Sequence, residues 1–204
     1  AAQRKQSSSD ANSHFRIGLE NVKKGNVVLN NIDVTKKSIF TKIKNGMSHI
    51  PEDRQKYGLV LDYNIQQNMV IEQYRDKRFS NHGWINFKKR KEYSDQLIKL
   101  YDIRTSQGSE TITRSMSGGN QQKVIVGREL DKNHSLLVAV QPTRGLDVGA
   151  VESIHKKIIA DRDKGSAVLL VSLELEEVMN LADKILVMYE GEIVGSFDPK
   201  NVTI

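Results

Sequence analysis

Ser115-Met116-Ser117-Gly118-Gly119-Asn120-Gln121-Gln122-Lys123 is followed by an apolar-periodic run to about Leu130, and its reading decides the fold. Ser117 is of the residue type that caps a helix, and the amides and apolar residues after it read as the helix itself. The first backbone N–H groups of a helix have no internal partner and the macrodipole is positive there, so this end suits a phosphate. Gly118 and Gly119 lack the Cβ atoms that would hold an anion away from the backbone. Taken alone, the stretch is equally a serine N-cap in a glycine-containing loop that meets no ligand.

A second block separates these readings. Leu136-Leu137-Val138-Ala139-Val140-Gln141-Pro142-Thr143-Arg144-Gly145-Leu146-Asp147 is an apolar strand running into a Pro-Thr-Arg-Gly-Leu-Asp loop. In content and spacing the two blocks resemble the signature motif and the Walker B/D-loop of ABC-type ATPases. The resemblance runs from about Ile17 to Val194. It implies an α/β, P-loop NTPase-like fold: a parallel sheet core with an inserted helical subdomain over about 62–114, and an incomplete N-terminal part.

The 204 residues suffice for one sizeable domain, or a domain with a subdomain. No apolar run approaches the ~20 residues of a bilayer span, and the polar first fifteen residues hold no signal-peptide core. With zero cysteines there is no disulfide framework and no thiolate metal site. His14, His49, His82, His134 and His155 are scattered without metal-ligand spacing, so no metal site of protein ligands is expected. The net charge of +6, from 31 Lys+Arg against 25 Asp+Glu, raises nucleic acid or an anionic membrane surface as partner. The basic residues are mostly interleaved with acids. The densest run, Lys88-Lys89-Arg90-Lys91, reads as a solvated helix face, and no RNA or DNA motif accompanies it, so no nucleic-acid partner is expected.

Residues 1–16 are poor in apolar side chains and read as a disordered or non-native leader, with structure beginning near Ile17. Gly25 to Val34 reads as a hairpin about Asn30-Asn31, Ser38 to Lys44 as a short helix, and Met47 to Ile50 as a strand ended by Pro51. The polar loop Pro51-Glu52-Asp53-Arg54 follows. On the resemblance Glu52 takes the Q-loop position, where the family has Gln, linking the nucleotide site to the membrane partner. The Pro-Glu-Asp-Arg version with Gly58-Leu59-Val60-Leu61-Asp62 is similar to the second half of tandem ATP-binding subunits from simple-sugar and nucleoside importers. The plain alternative for Glu52-Asp53-Arg54 is a solvated turn with a local ion pair.

From Asn64, a possible N-cap, to about Tyr101 the chain reads as mostly helical with a break at Ser80-Asn81-His82-Gly83. On the resemblance this is the subdomain that grips the membrane subunit. The rings of Phe79, Trp84 and Phe87 are expected in its core. Beyond the signature helix the pattern turns α/β: strand Leu136–Val140, helix Val148–Lys164, strand Ala167–Ser172, helix Glu174–Leu181, and a hairpin of Lys184–Tyr189 with Glu192–Phe197. That alternation implies a largely parallel sheet covered on both faces.

Several chemical parts that the resemblance promises are not in the sequence. There is no G-x-x-x-x-G-K-[ST] to cradle phosphates, and the adenine-stacking aromatic expected upstream is absent. Without the segment that bears them, the sheet is expected to lose a central strand and a helix, leaving an exposed apolar face and a marginally stable chain. Val140 and Gln141 stand where the family has the Asp that orients Mg²⁺ and the Glu that polarises water, and Leu173 stands at the switch histidine.

The resemblance nonetheless implies a role. In ABC motors each ATP lies between one half's Walker A and the other half's signature. Ser117, Gly118 and Gly119 would hold the γ-phosphate of ATP on the opposing half, with Asn120 beside them at that ATP, Gln121 and Gln122 in support, Asp147 linking the two sites, and Glu52 passing closure to the permease. ATP and Mg²⁺ would come through the partner half in a head-to-tail dimer. The expected assembly is a nucleoside or simple-sugar importer with permease subunits and, indirectly, a solute-binding protein, peripheral on the inner face of the membrane. The other reading is a non-hydrolysing interaction module derived from such an ATPase. A DNA-repair or chromosome-structuring member would need long heptad arms, which the sequence lacks, and a ribosome-acting member two motor domains in one chain.

Overall fold

The computed structural model of the chain describes Val22 and residues 24–201. The expected leader and the start near Ile17 lie outside the described residues. The described residues divide into two compact units, one of those up to Glu52 with His134–Gln141 and those from Ile158 on, the other of Asp53–Asn133 with Pro142–Lys157.

The first unit opens with the antiparallel pair β1 (Val28–Leu29) and β2 (Ile32–Asp33). Its turn residues Asn30 and Asn31 have φ of 49° and 62°, the positive values a tight hairpin turn demands and asparagine tolerates. Helix α1 (Ile39–Lys44) is capped by Ser38, whose hydroxyl accepts from the Thr41 amide at 3.2 Å. Strand β3 (Met47–Ile50) lies parallel to β6 (Leu136–Val140), and β6 to β7 (Ala167–Val171), in the order β3-β6-β7. The register sets Ile50 opposite Ala139 and Val140 opposite Val171.

Being central, β6 is apolar throughout, as a strand covered on both faces must be. Val138 and Val140 share one face and pack with Leu29, Val34 and Met47 into a buried cluster. Each such side chain stabilises the fold by about 1.5–3 kcal/mol. Helix α6 (Leu175–Leu181) follows β7, and the antiparallel pair β8 (Ile185–Tyr189) and β9 (Glu192–Phe197) closes the unit, with an irregularity between Val187 and Met188. Helix α5 (Val148–Asp163) runs from the second unit into the first.

The second unit starts with a single π-helical turn, Arg54–Gly58, capped by Asp53, which accepts from the Gln55 and Lys56 amides at 3.0 Å each. Helix α2 (Ile65–Val70) begins at Asn64 in a reciprocal capping box with Gln67. The expected long helical stretch is shorter than its sequence pattern. Between α2 and α3 (Phe87–Leu100) lie turns and a small hairpin, β4 (Ser80–Asn81) with β5 (Trp84–Ile85). The hairpin turns on His82 and Gly83, both at positive φ.

Phe79 is buried as expected, its ring centroid 5.0 Å from that of Tyr93. Trp84 and Phe87 are not in the core: they are 82% and 66% exposed. The glycine break builds a hairpin rather than a kink, and the hairpin turns these two rings outward.

Helix α4 (Gly118–Asp131) is buried without interruption from Gln121 to Glu129. A helix enclosed on all sides is a core element, not an amphipathic surface one. Tyr101 packs flat against Gly127, where an added Cβ would sit 3.1 Å from the ring.

Candidate functional site

The residues singled out by sequence fall into two groups, one in each unit. In the second unit they converge on the N-terminal end of α4. Ser117 is its N-cap, in extended backbone (φ −62°, ψ 152°), and its hydroxyl oxygen accepts from the Asn120 amide at 3.4 Å and from Asn120 Nδ2 at 2.9 Å. Both bonds end on oxygen, so the exposed hydroxyl keeps its proton to donate. Ser117 O accepts from the Gln121 amide. The Gly118 and Gly119 amides precede the first intrahelical bond and have no carbonyl within the helix to reach.

The glycines fit neighbours within the chain as much as they admit a ligand. A Cβ on Gly118 would lie 2.6 Å from Arg54 Nη2, and one on Gly119 would lie 3.3 Å from the Gly145 carbonyl oxygen. Arg54 also donates through Nη1 to the Arg144 carbonyl at 3.2 Å. Gly145 makes the turn of that loop at φ +75°, where a side chain would be strained.

Arg54 is therefore laid across the capped helix end and against the loop after β6. Among the described residues no carboxylate pairs with it. In place of the local ion pair of the plain alternative for Glu52-Asp53-Arg54, the Arg54 guanidinium is directed at Gly118 and the Gly145 turn. Sequence reading missed this, because contact between Arg54 and Gly118 depends on how two distant loops fold back.

Asn120 is held at both ends, since its Oδ1 also accepts from the Arg104 amide at 2.8 Å. Gln121 has a supporting place: its side chain is buried, and its Nε2 donates to the Thr113 carbonyl at 2.9 Å, which anchors the helix. Gln122, also buried, donates to the Pro142 carbonyl at 2.9 Å and ties α4 to the loop after β6. Lys123 Nζ donates to the Asp102 carbonyl at 2.8 Å. The three amide and lysine side chains thus fix the helix in place and leave its first turn open.

Asp147 is exposed, and its Oδ1 accepts from the Ala150 amide at 2.9 Å, which caps α5. That backbone bond, with the Lys123 and Arg104 charges adding to it, holds the carboxyl below the ordinary carboxylate range. It remains an anion near neutrality, one oxygen committed to the helix.

In the first unit, Val140 is 1% exposed and packs in the apolar cluster of β1 and β3. It offers a site neither oxygen nor charge. Gln141 stands at φ 50°, a left-handed conformation that costs a non-glycine residue about 1–2 kcal/mol, and its amide donates to the Val171 carbonyl at 2.8 Å. Leu173 is 76% exposed between β7 and α6. Glu52 is half-buried, directly after Pro51 at the end of β3. Among the described residues no cluster of three or more His, Cys, Asp or Glu is placed to hold a metal ion, and no helix is long and apolar enough to cross a membrane.

No family model matches the chain. Curated sequences do. A guanosine import ATP-binding protein of Bacillus subtilis is 46% identical over 186 residues, which is 91% of this chain and 36% of that protein. A nucleoside import ATP-binding protein of Lactococcus lactis is 40% identical, over 91% of this chain and 37% of its own length. A glucose import ATP-binding protein of Haloferax volcanii is 38% identical, over 90% and 34%. The chain thus spans about a third of the length of the relatives it matches.

Among solved structures, the ATP-binding cassette MJ0796, in a dimeric post-hydrolysis state with ADP and phosphate, superposes with a TM-score of 0.78 at 18% identity, over 94% of this chain and 81% of that one. A nucleotide-free cassette of an ABC transporter gives 0.70 at 20% identity, over 93% and 76%. The chain has the fold of ABC ATPase cassettes, α/β with a parallel sheet core, and along about 91% of its length its sequence is of the type found in the ATP-binding proteins of nucleoside and sugar importers.

Proposed function

We propose that this chain is the signature-donating half of a composite ATP site in an importer for nucleosides or simple sugars, and that it does not hydrolyse ATP at a site of its own. The observation that supports this most is the first turn of α4. An N-cap hydroxyl with its proton free, two amides without helix carbonyls and the guanidinium of Arg54, which has no carboxylate partner among the described residues, are gathered in one place. That donor set suits a phosphate and little else. The positions that would have to orient Mg²⁺ and activate water are a core valine and a glutamine, neither of which is a metal ligand or a base in this chemistry.

In this reading the ATP and its Mg²⁺ belong to a facing nucleotide-binding half. This chain contributes charge and hydrogen bonds to the γ-phosphate, and so favours closure of the two halves. Arg54 adds a positive charge that the sequence reading did not assign. Asp147 links the loop after β6 to α5, and Glu52 and the helical subdomain each take part in passing closure to permease subunits. The relatives named for guanosine, nucleoside and glucose import support the substrate class.

The test is calorimetry with Mg-ATP on the chain alone and after mixing with a matching half that carries a Walker A motif. The chain alone should give no heat of binding, and the mixture should bind ATP and associate. Ser117→Arg, which fills the helix end, should abolish that association. Tight binding by the chain alone, or an unaffected Ser117→Arg mixture, would overturn the reading.

A further inference from the structure

Asn120 makes its two side-chain bonds in a fixed sense. Its Oδ1 accepts from the Arg104 amide at 2.8 Å, and its Nδ2 donates to Ser117 Oγ at 2.9 Å. A backbone amide can only donate, so Arg104 decides which end of the Asn120 carboxamide is oxygen. The nitrogen end is thereby turned on Ser117, and the serine oxygen must accept. The bond from the Asn120 backbone amide to the same oxygen is long, 3.4 Å, so the side-chain bond holds the hydroxyl more firmly than the helix cap does.

The Arg104 amide is itself held. Residues 101–104 leave the C-terminal end of α3 and run along one side of α4. The Tyr101 ring covers Gly127, the Asp102 carbonyl accepts from Lys123 Nζ at 2.8 Å, and the Arg104 amide reaches Asn120. Asn120, Lys123 and Gly127 follow one another at steps of three and four, so they share one face of the helix. Ile103 is buried, and its amide donates to the Ile98 carbonyl at 2.9 Å, which fastens the segment back to α3. Lys157 of α5 lies 4.6 Å from the centroid of the Tyr101 ring. The segment is thus stitched to α4 at three successive points, and the last of them is the residue that holds Ser117.

We infer that Asn120 is a positioning residue: braced by residues 101–104, it fixes the Ser117 rotamer and points the hydroxyl proton out of the helix end. The inference rests on the proposed role of Ser117 at the γ-phosphate, and it joins Asn120 to that phosphate through the serine rather than by contact. A hydroxyl whose oxygen is already engaged has its proton directed away from those bonds, and it has less rotational freedom left to lose when an anion arrives. An asparagine turned to a ligand would need neither the Arg104 brace nor the short bond to Ser117.

The Hα–Hβ couplings of Ser117 report its χ1 rotamer in the chain alone, without nucleotide. The unchanged chain should show one rotamer. Asn120→Ala, which puts a good helix former in the first turn, should show rotamer averaging with an unchanged circular dichroism spectrum. With a facing half that carries a Walker A motif, Asn120→Ala should weaken ATP-dependent association about 10-fold, the worth of one hydrogen bond. In a Ser117→Ala background the same change should add less than about 2-fold, because no hydroxyl is left to direct. Asn120→Asp keeps an acceptor for the Arg104 amide but can only accept from Ser117. It should retain the single rotamer, draw the serine proton inward and weaken association.

Averaging in the unchanged chain, or a single Ser117 rotamer retained in Asn120→Ala, would overturn the positioning. So would losses that multiply: an Asn120→Ala effect of about 10-fold that persists without the Ser117 hydroxyl would make Asn120 a direct ATP contact. An unchanged chain that fails to associate with the facing half would strike the composite-site reading instead, since the rotamer comparison is made without ATP.

Discussion

At Gly118 the missing side chain has a reason that composition does not disclose. The space a methyl group would take is held by Arg54, 2.6 Å from the ideal Cβ position. The obstructing atom is the far end of a flexible side chain, so Gly118→Ala should leave stability within about 1 kcal/mol while displacing the guanidinium from the helix end. Arg54→Ala should do the same to function by removing the charge. Both variants should melt with the unchanged chain and both should weaken ATP-dependent association with a facing half. If only Gly118→Ala weakened it, Arg54 would be packing and not a phosphate ligand.

A second residue sets an acid limit. Asp33 accepts from the Thr35 side chain and amide and from Asn26, which lowers its pKa to about 2. A carboxyl depressed in the folded state stabilises above its unfolded pKa, near 3.9, and that contribution is lost as pH falls through the folded value. A carbon-13 titration of the Asp33 carboxyl should therefore show its midpoint near 2, and Thr35→Val should raise it toward the ordinary value. That Ser117 caps a helix and that Val140 lies in a buried strand could be read from the sequence, because each depends on what the residue is. Arg54 could not, because its role depends on what lies beside it.

Among the elements, α4 bears the second unit. Its C-terminal turn buries a charge cluster in which Arg128 Nε meets Glu129 at 2.7 Å, Arg128 also faces Glu72 at 3.8 Å, and Lys132 pairs with Glu72 and with Glu129, the last at 2.5 Å. Burial alone would lower the Arg128 pKa, and the Glu129 and Glu72 carboxylates more than reverse this, so the guanidinium stays charged. Removing one member strands its partners in a dry site. Glu129→Ala should cost about 3–5 kcal/mol, a large part of the stability of an ordinary domain, and urea denaturation would measure it. A loss below 1 kcal/mol would show the cluster to be hydrated.

At this scale the sequence was most legible where period and caps agreed, as in α4, β6, β7 and the β8–β9 hairpin. It was least legible between α2 and α3. There Phe79, Trp84 and Phe87 are indistinguishable as hydrophobic letters, and only the hairpin at His82-Gly83 sorts one ring inward and two outward. The buried ion cluster also escaped notice, since Arg128, Glu129 and Lys132 read in sequence as the polar end of a helix.

For the whole molecule, the two units differ in how well they cover themselves. The second buries α4 from Gln121 to Glu129. In the first, the strand residues Val168 to Val171 remain only partly covered, β7 has a single neighbour among the described strands, and β8 and β9 expose Leu186, Val187, Tyr189, Ile193, Val194 and Phe197. Exposed apolar side chains and a strand edge without a partner among the described strands both favour association with other chains. The chain studied alone should therefore bind a hydrophobic dye in its native buffer and aggregate on warming. Amide exchange should be slowest in α4 and β6 and fast in β8 and β9, because backbone bonds open at a cost set by the burial around them. Reversible, cooperative melting at high temperature without dye binding would show that the apolar strands cover one another in solution, and uniform protection across β6 and β8 would remove the distinction between the units on which this prediction stands.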